Sequence, residues 1–218
     1  MLAISEGDRQ LMVDDCDPER LLMVPLTPAF RDPGGLVPAV QGGAILLFVG
    51  AMSRDHNQQG ITWFLDHVWD RVLAEVPEAQ LYVVGGSPPE SLIRRSDGSR
   101  VIVTGFVDDL APWYRAATVF ISPLLVAGGL LQKVMDAMAM GVPVVATSVC
   151  NHGIGAVPGV HLLIADGPGA FATAVIELLR DPDRRAALGT AAQAFIASDY
   201  DLDRAVDQWD AVIRRLTA

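Results

Sequence analysis

From Ala44 onward one unit recurs: a short apolar run without polar alternation, a turn, then a helical pattern. The runs are AILLFVG (44–50), AQLYVVGG (79–86), RVIVTG (100–105), TVFISP (118–123), VPVVATS (142–148) and VHLLIA (160–165). A strand exposed on one face alternates apolar and polar residues, so strands this uniformly apolar are covered on both faces. Helices follow at 57–76, 108–117, 129–140, 169–179, 183–198 and 202–216. In the first of these Ile61, Phe64, Leu65, Val68 and Val72 recur at helical spacing. The pattern predicts an α/β fold, a Rossmann-like parallel sheet of about six strands with helices on both faces. Before it, 5–15 reads as a short helix capped by Ser5, 21–26 as a strand and 27–43 as a Pro/Gly-rich loop. The expected division is a lead-in over 1–43, a main domain over 44–200 and a carboxy-terminal helix over 201–218.

Ligands of open α/β sheets bind at the carboxyl ends of the strands. Glycine-rich turns fall there: VGAMSRDHN, VGGSPPE (with Gly85), TGFVDD and SPLLVAGG. Glycine lets a backbone approach a ligand closely. None of the four is GxGxxG or GxxxxGK[ST], so the usual dinucleotide and P-loop signatures are absent.

The stretch GGLLQKVMDAMAMGVPVVA (128–146) holds Lys133, the only lysine among 218 residues. Two glycines before a helix leave N–H groups and the positive end of the helix dipole facing a ligand. Lys133 adds a point charge suited to phosphate. Asp136, two turns beyond the glycines, could accept ribose hydroxyls. A small anion therefore fits locally, although the chain's formal net charge is −10. That charge, with no basic run, argues against nucleic acid and anionic membranes as partners. No apolar run reaches the ~18–20 residues of a membrane span. Cys16 and Cys150 are far apart and the four histidines lack metal-ligand spacing, so the reading is a cytoplasmic chain with free thiols and no metal.

The ordered series LLFVGAMSRDHNQQGITWFLDHV, LYVVGGSPPE…VIVTGFVDDLAPWYRAATVFISP and SPLLVAGGLLQKVMDAMAMGVPVVATSVCNHGI…GVHLLIAD resembles the carboxy-terminal domain of GT-B glycosyltransferases of family 4. The resemblance covers nearly all of 44–199, and 3–25 resembles the segment leading into that domain. It implies one half of a GT-B fold that binds a nucleotide-diphosphate sugar and needs no cofactor beyond that donor. Backbone groups of Gly105, Phe106 and Val107, with Leu110 nearby, would border the base. Asp136 takes the place of the family's ribose-binding glutamate. Gly128, Gly129 and Leu130 would cradle the diphosphate, helped by Lys133. Arg54 and Asn57 would lie beside the phosphates or the acceptor. Members transfer the sugar with retention and without metal.

This sequence departs from the pattern in places. Gly128 stands where many members carry glutamate. The branch lacking that glutamate usually reads P-L-R-x-G-x-G-T-R-x-K. Here Leu125 and Leu131 replace its arginines, Leu130 its threonine, and glutamate shortens to Asp136. Each lost charge-assisted contact costs roughly 1.5–3 kcal/mol. No carboxylate or histidine stands out as a catalytic base. The resemblance implies an acceptor-binding amino-terminal half that these residues do not match, so the expectation is a chain that works with a separate amino-terminal half or is a fragment of a longer enzyme, with a homodimer as the alternative partner. Three roles are consistent with the sequence: a glycosyltransferase's donor half, an inactive nucleotide-sugar-binding domain, and a protein-interaction domain.

Overall fold

The computed structural model describes residues 2–3, 12, 22–23, 27–29 and 43–217. The expected helix at 5–15 lies outside these apart from Met12, and the strand at 21–26 apart from residues 22–23. Two short strands pair in parallel, β1 (Leu2–Ala3) with β2 (Leu22–Met23).

The main sheet contains β3 (Ile45–Val49), β4 (Gln80–Val84), β5 (Val101–Gly105), β6 (Val119–Ser122), β7 (Val144–Ala146) and β8 (Leu163–Ile164). All pairings are parallel, in the order β5-β4-β3-β6-β7-β8. Every residue of β3, β6 and β7 is buried, so neither face of the sheet's middle meets water. This is the continuous apolar character that the sequence shows. The chain grows outward through β4 and β5, then returns to place β6 against β3. Leu46 pairs with Val119 and Leu47 with Phe120 across this seam. Thr118 stitches it further: its hydroxyl accepts from the Ile45 amide at 3.0 Å, and its own amide donates to the Ile45 carbonyl at 2.9 Å.

The predicted helix over 57–76 is two helices, α1 (Asp55–His67) and α2 (Trp69–Glu75), with Val68 between them at φ −116° and ψ −42°. Apolar spacing runs unbroken through the join, so the sequence does not mark it. Packing does: Val68 and Trp69 are both buried, and the Trp69 ring sits 6.2 Å from Phe64. A helical turn α3 (Glu90–Ile93), unread in the sequence, precedes β5, and α4 (Ala111–Ala116) follows it. The helix expected at 129–140 is α5 (Gln132–Ala139), three residues shorter at its start. Gly129 holds a left-handed φ of +64°, and Leu131 is extended, so the helix cannot begin at the glycines. The chain continues with α6 (Pro168–Arg180), α7 (Pro182–Asp199) and α8 (Leu202–Thr217). Phe171 of α6 packs edge-on against Phe64 and Trp63 of α1, both at 5.8 Å. No helix among the described residues is long and apolar enough to cross a membrane.

Candidate functional site

The strand order reverses between β3 and β6, and the turns after these two strands flank that point. A crevice opens at such a reversal, and ligands bind there.

Backbone bonds knit the turns after β3, β4 and β5 together. Gly50 N donates to Val84 O at 3.0 Å, Met52 N to Gly86 O at 2.9 Å, and Gly85 N to Gly105 O at 3.0 Å. At Gly85 an added Cβ would lie 1.9 Å from the Gly50 carbonyl oxygen, so only glycine permits this approach. The result is a cavity of about 220 Å³ lined by Val49–Ala51, Gly85, Gly86, Phe106, Val107 and Leu110. Four of the expected residues, Gly85, Phe106, Val107 and Leu110, share it. Gly105 ends β5 beside it with φ +74°. Phe106 is 78% exposed, a large apolar ring at the rim of the cavity. Gly50, Ala51 and Gly86 were not singled out. The signal for Gly50 and Gly86 is the glycine after each strand, which converges only when the strands are parallel; Ala51 carries none.

A second group lies across the seam. Lys133, in the first turn of α5, is half-buried, and its Nζ donates to Asn57 Oδ1 at 2.5 Å. The ammonium also sits 4.7 Å from the centre of the buried Phe48 ring. Burial pulls its pKa down to about 8, with the neighbouring Cys150 opposing. Among the described residues it has no carboxylate partner. Asn57 is 3% exposed and donates Nδ2–H to Ala51 O at 2.9 Å, on the cavity wall. It therefore meets the lysine and a backbone carbonyl rather than open solvent. Arg54 is exposed at the start of α1. His56 is held below its ordinary pKa first by burial, then by Lys133 and Arg54, with Asp55 opposing. Arg54 and Lys133 thus form one positive neighbourhood at the amino end of α1, and it disfavours the charged form of His56.

Gly128 and Gly129 lie in the turn before α5, not within the helix. Leu130 is 9% exposed and belongs to the core, so only its backbone could meet a ligand. Gly153 presses against this turn, where an added Cβ would lie 2.3 Å from Gly129 O. The Tyr114 hydroxyl of α4 donates to the Lys133 carbonyl at 3.3 Å, fixing the first turn of α5. Asp136 is 4% exposed, and its Oδ1 accepts from Ala29 N at 2.7 Å and from Gln132 Nε2 at 3.0 Å. Gln132 also donates to Thr27 O at 2.9 Å. A ribose hydroxyl would have to compete with the Ala29 amide for this oxygen.

The arrangement is an apolar slot with an exposed aromatic rim, beside a half-buried cation and a turn of free-standing glycines. It suits a ligand with a flat ring at one end and negative charge next to it. Residues 43–181 match the family described as glycosyl transferases group 1. The chain belongs to this family. Among curated glycosyltransferase-family relatives, it is 30% identical over 159 residues to a GDP-mannose-dependent monoacylated alpha-(1-6)-phosphatidylinositol monomannoside mannosyltransferase of Corynebacterium glutamicum. That match covers 67% of this chain and 40% of the relative. An uncharacterized 44.6 kDa protein of the cps region of Klebsiella pneumoniae is 29% identical, covering 72% of this chain and 42% of its own length. The chain thus matches about two-fifths of the length of these relatives. Among solved structures, a mutant of S. aureus TarM in complex with Fondaparinux, alpha-GlcNAc-glycerol and UDP superposes with a TM-score of 0.77 at 15% identity, over 95% of this chain and 42% of that one. Anabaena Alr3699/HepE in complex with UDP-glucose gives 0.75 at 15%, over 99% and 63%. These likenesses establish the fold as the Rossmann-like half of a GT-B glycosyltransferase.

Proposed function

We propose that this chain is the donor-binding half of a retaining glycosyltransferase and takes a nucleotide-diphosphate sugar. The base lies in the cavity rimmed by Phe106. The diphosphate lies between Lys133 and the backbone N–H groups of Gly128–Leu130, with Arg54 at the open side. The observation that carries the reading is the position of Lys133: the chain's one lysine is held at the strand-order reversal, bound to the residue that braces the cavity wall. A solvated surface lysine would not be held there. In transfer, charge builds on the departing diphosphate, and a cation held in a partly dry site stabilises it. No metal or further cofactor enters this scheme. The acceptor would be held by a domain like those that make up the rest of the relatives' length, supplied by this protein or by a partner.

A second reading, an inactive domain that keeps the fold but binds the donor only weakly, is favoured by one contact, the Ala29 amide on Asp136. A thermal-shift panel of UDP, GDP, ADP and dTDP sugars tests the proposal. Ligand at a hundred times its dissociation constant stabilises the native state by about 2.7 kcal/mol. A rise of several degrees with one nucleotide class, absent with the matching nucleoside, is expected. No rise with any of them refutes donor binding altogether.

A further inference from the structure

Asn57 is buried, polar and charge-neutral, and it holds the site's one half-buried cation. Its side chain lies flat against Gly50, where an added Cβ would meet Nδ2 at 2.7 Å and Cγ at 2.8 Å. Its Nδ2–H is anchored on Ala51 O, which orients Oδ1 toward Lys133. An ammonium carries three N–H donors, and among the described residues only one is taken. We propose that Asn57 is a positioning residue: it fixes the Lys133 ammonium at the cavity edge through one neutral acceptor and leaves two donors for the ligand's anionic group. This rests on the donor-binding reading and adds to it the residue that sets the cation's place and charge.

The choice of a neutral partner has a physical reason. A carboxylate at position 57 would neutralise the lysine and repel a diphosphate. An apolar side chain would leave a poorly solvated ammonium with no acceptor. The amide lies between these extremes and keeps the proton on without cancelling the charge. The groups facing Lys133 are consistent with this. From α1 comes His56, with Arg54 and Asp55 beside it; from the 3-10 turn Ser148–Cys150 comes the buried Cys150 thiol, itself bonded to Ser122 and Thr147. On α5 itself Asp136 is engaged by Ala29 and Gln132, and Tyr114 of α4 reaches the Lys133 carbonyl, not its ammonium. None of these is an ion-pair partner of the lysine.

Because Lys133 is the only lysine, protein grown on lysine carbon-13 labelled at Cε gives one lysine signal, whose shift with pH reports this ammonium alone. The wild-type midpoint is expected at about 8. Asn57→Leu removes the acceptor and moves the midpoint down by about one pH unit, while Asn57→Asp moves it up by about one unit or more. Opposite shifts are not what a space-filling role for Asn57 would produce. One midpoint shared by wild type and both variants overturns the proposal. If Asn57→Leu does not fold, Asn57→Asp decides alone. UDP added to the wild type is expected to raise the midpoint, and uridine to leave it unchanged. If UDP leaves it unchanged while the Asn57 variants still shift it, the diphosphate reading fails and the positioning role stands. If UDP shifts it and the variants do not, the positioning role fails and the donor reading stands.

Discussion

Replacing Gly153 with alanine isolates the contact between two turns. The added Cβ would lie 2.3 Å from Gly129 O, 2.7 Å from its carbonyl carbon and 3.1 Å from Leu130 N. All three are backbone atoms, so no rotamer change relieves the overlap. Ordinary contact begins near 3.4 Å, so the turns must separate by about 1 Å. The far side of the Gly153 turn is tied down, because the Tyr200 hydroxyl donates to Ile154 O at 2.7 Å. The movement therefore falls on Gly129, in the turn assigned to the diphosphate. Overpacking of this kind costs about 1–3 kcal/mol, or roughly 3–10 °C in Tm for a chain of this size. A 1 Å displacement at a binding backbone is expected to weaken UDP by about tenfold or more. Gly155→Ala is the control. Gly155 has φ +69° and open space around it, so alanine there adds about 1–2 kcal/mol of backbone strain without pushing on Gly129. Melting curves and UDP titration calorimetry on both variants read the two effects separately. Both melt lower, and only Gly153→Ala loses affinity. Equal UDP affinity in the two variants would refute the reasoning.

Lys133→Met is expected to raise stability at pH 7 while abolishing UDP binding, since the folded state holds this proton less tightly than the unfolded one. The unfolded lysine stays protonated between about 8 and 10.5 where the folded one has released its proton, so wild-type stability rises across that window. The variant's advantage, about 1–2 kcal/mol after the lost bond to Asn57, is thus full below pH 8 and gone above about 10.5; a Tm no higher at pH 7 would contradict it. Phe106→Ala should leave Tm within about 1–2 °C, because the ring is 78% exposed, yet weaken nucleoside binding by about 1–3 kcal/mol if the base stacks on it. Calorimetry with uridine and guanosine checks this, and unchanged affinity for both removes Phe106 from the site.

The sheet was legible because doubly covered strands are written as unbroken apolar runs, and all six appear where those runs fall. What escaped was set by contacts between distant residues. Nothing local stops the pattern at Val68; Trp69 turns inward because α2 packs on α6, where Arg180 donates to the Glu75 carbonyl at 2.6 Å. The start of α5 moved because Gly129 takes a left-handed φ against Gly153, a neighbour 24 positions away. Lys133 was legible as an oddity of composition, but its partner lies 76 residues earlier and no spacing rule connects them. Asp136 was read for its place in a motif, and its burial under the Ala29 amide, 107 residues away, could not be read at all. Leu130 illustrates the reverse case: as a sequence letter it departs from the family's threonine, while in the fold it is a core residue.

The strand order also sets the order in which the molecule is built. The pairs β3–β4, β4–β5, β6–β7 and β7–β8 each join strands adjacent in the chain, whereas β3–β6 joins Ile45 to Thr118 across 73 residues. Closing the longer loop costs more entropy before any contact repays it, so the two arms are expected to form before the seam. The cavity wall sits on one arm and Lys133 on the other. On refolding from urea, far-ultraviolet dichroism should therefore recover ahead of nucleotide binding, and on unfolding binding should be lost first. On this expectation the site is the last thing the chain makes and the first it gives up.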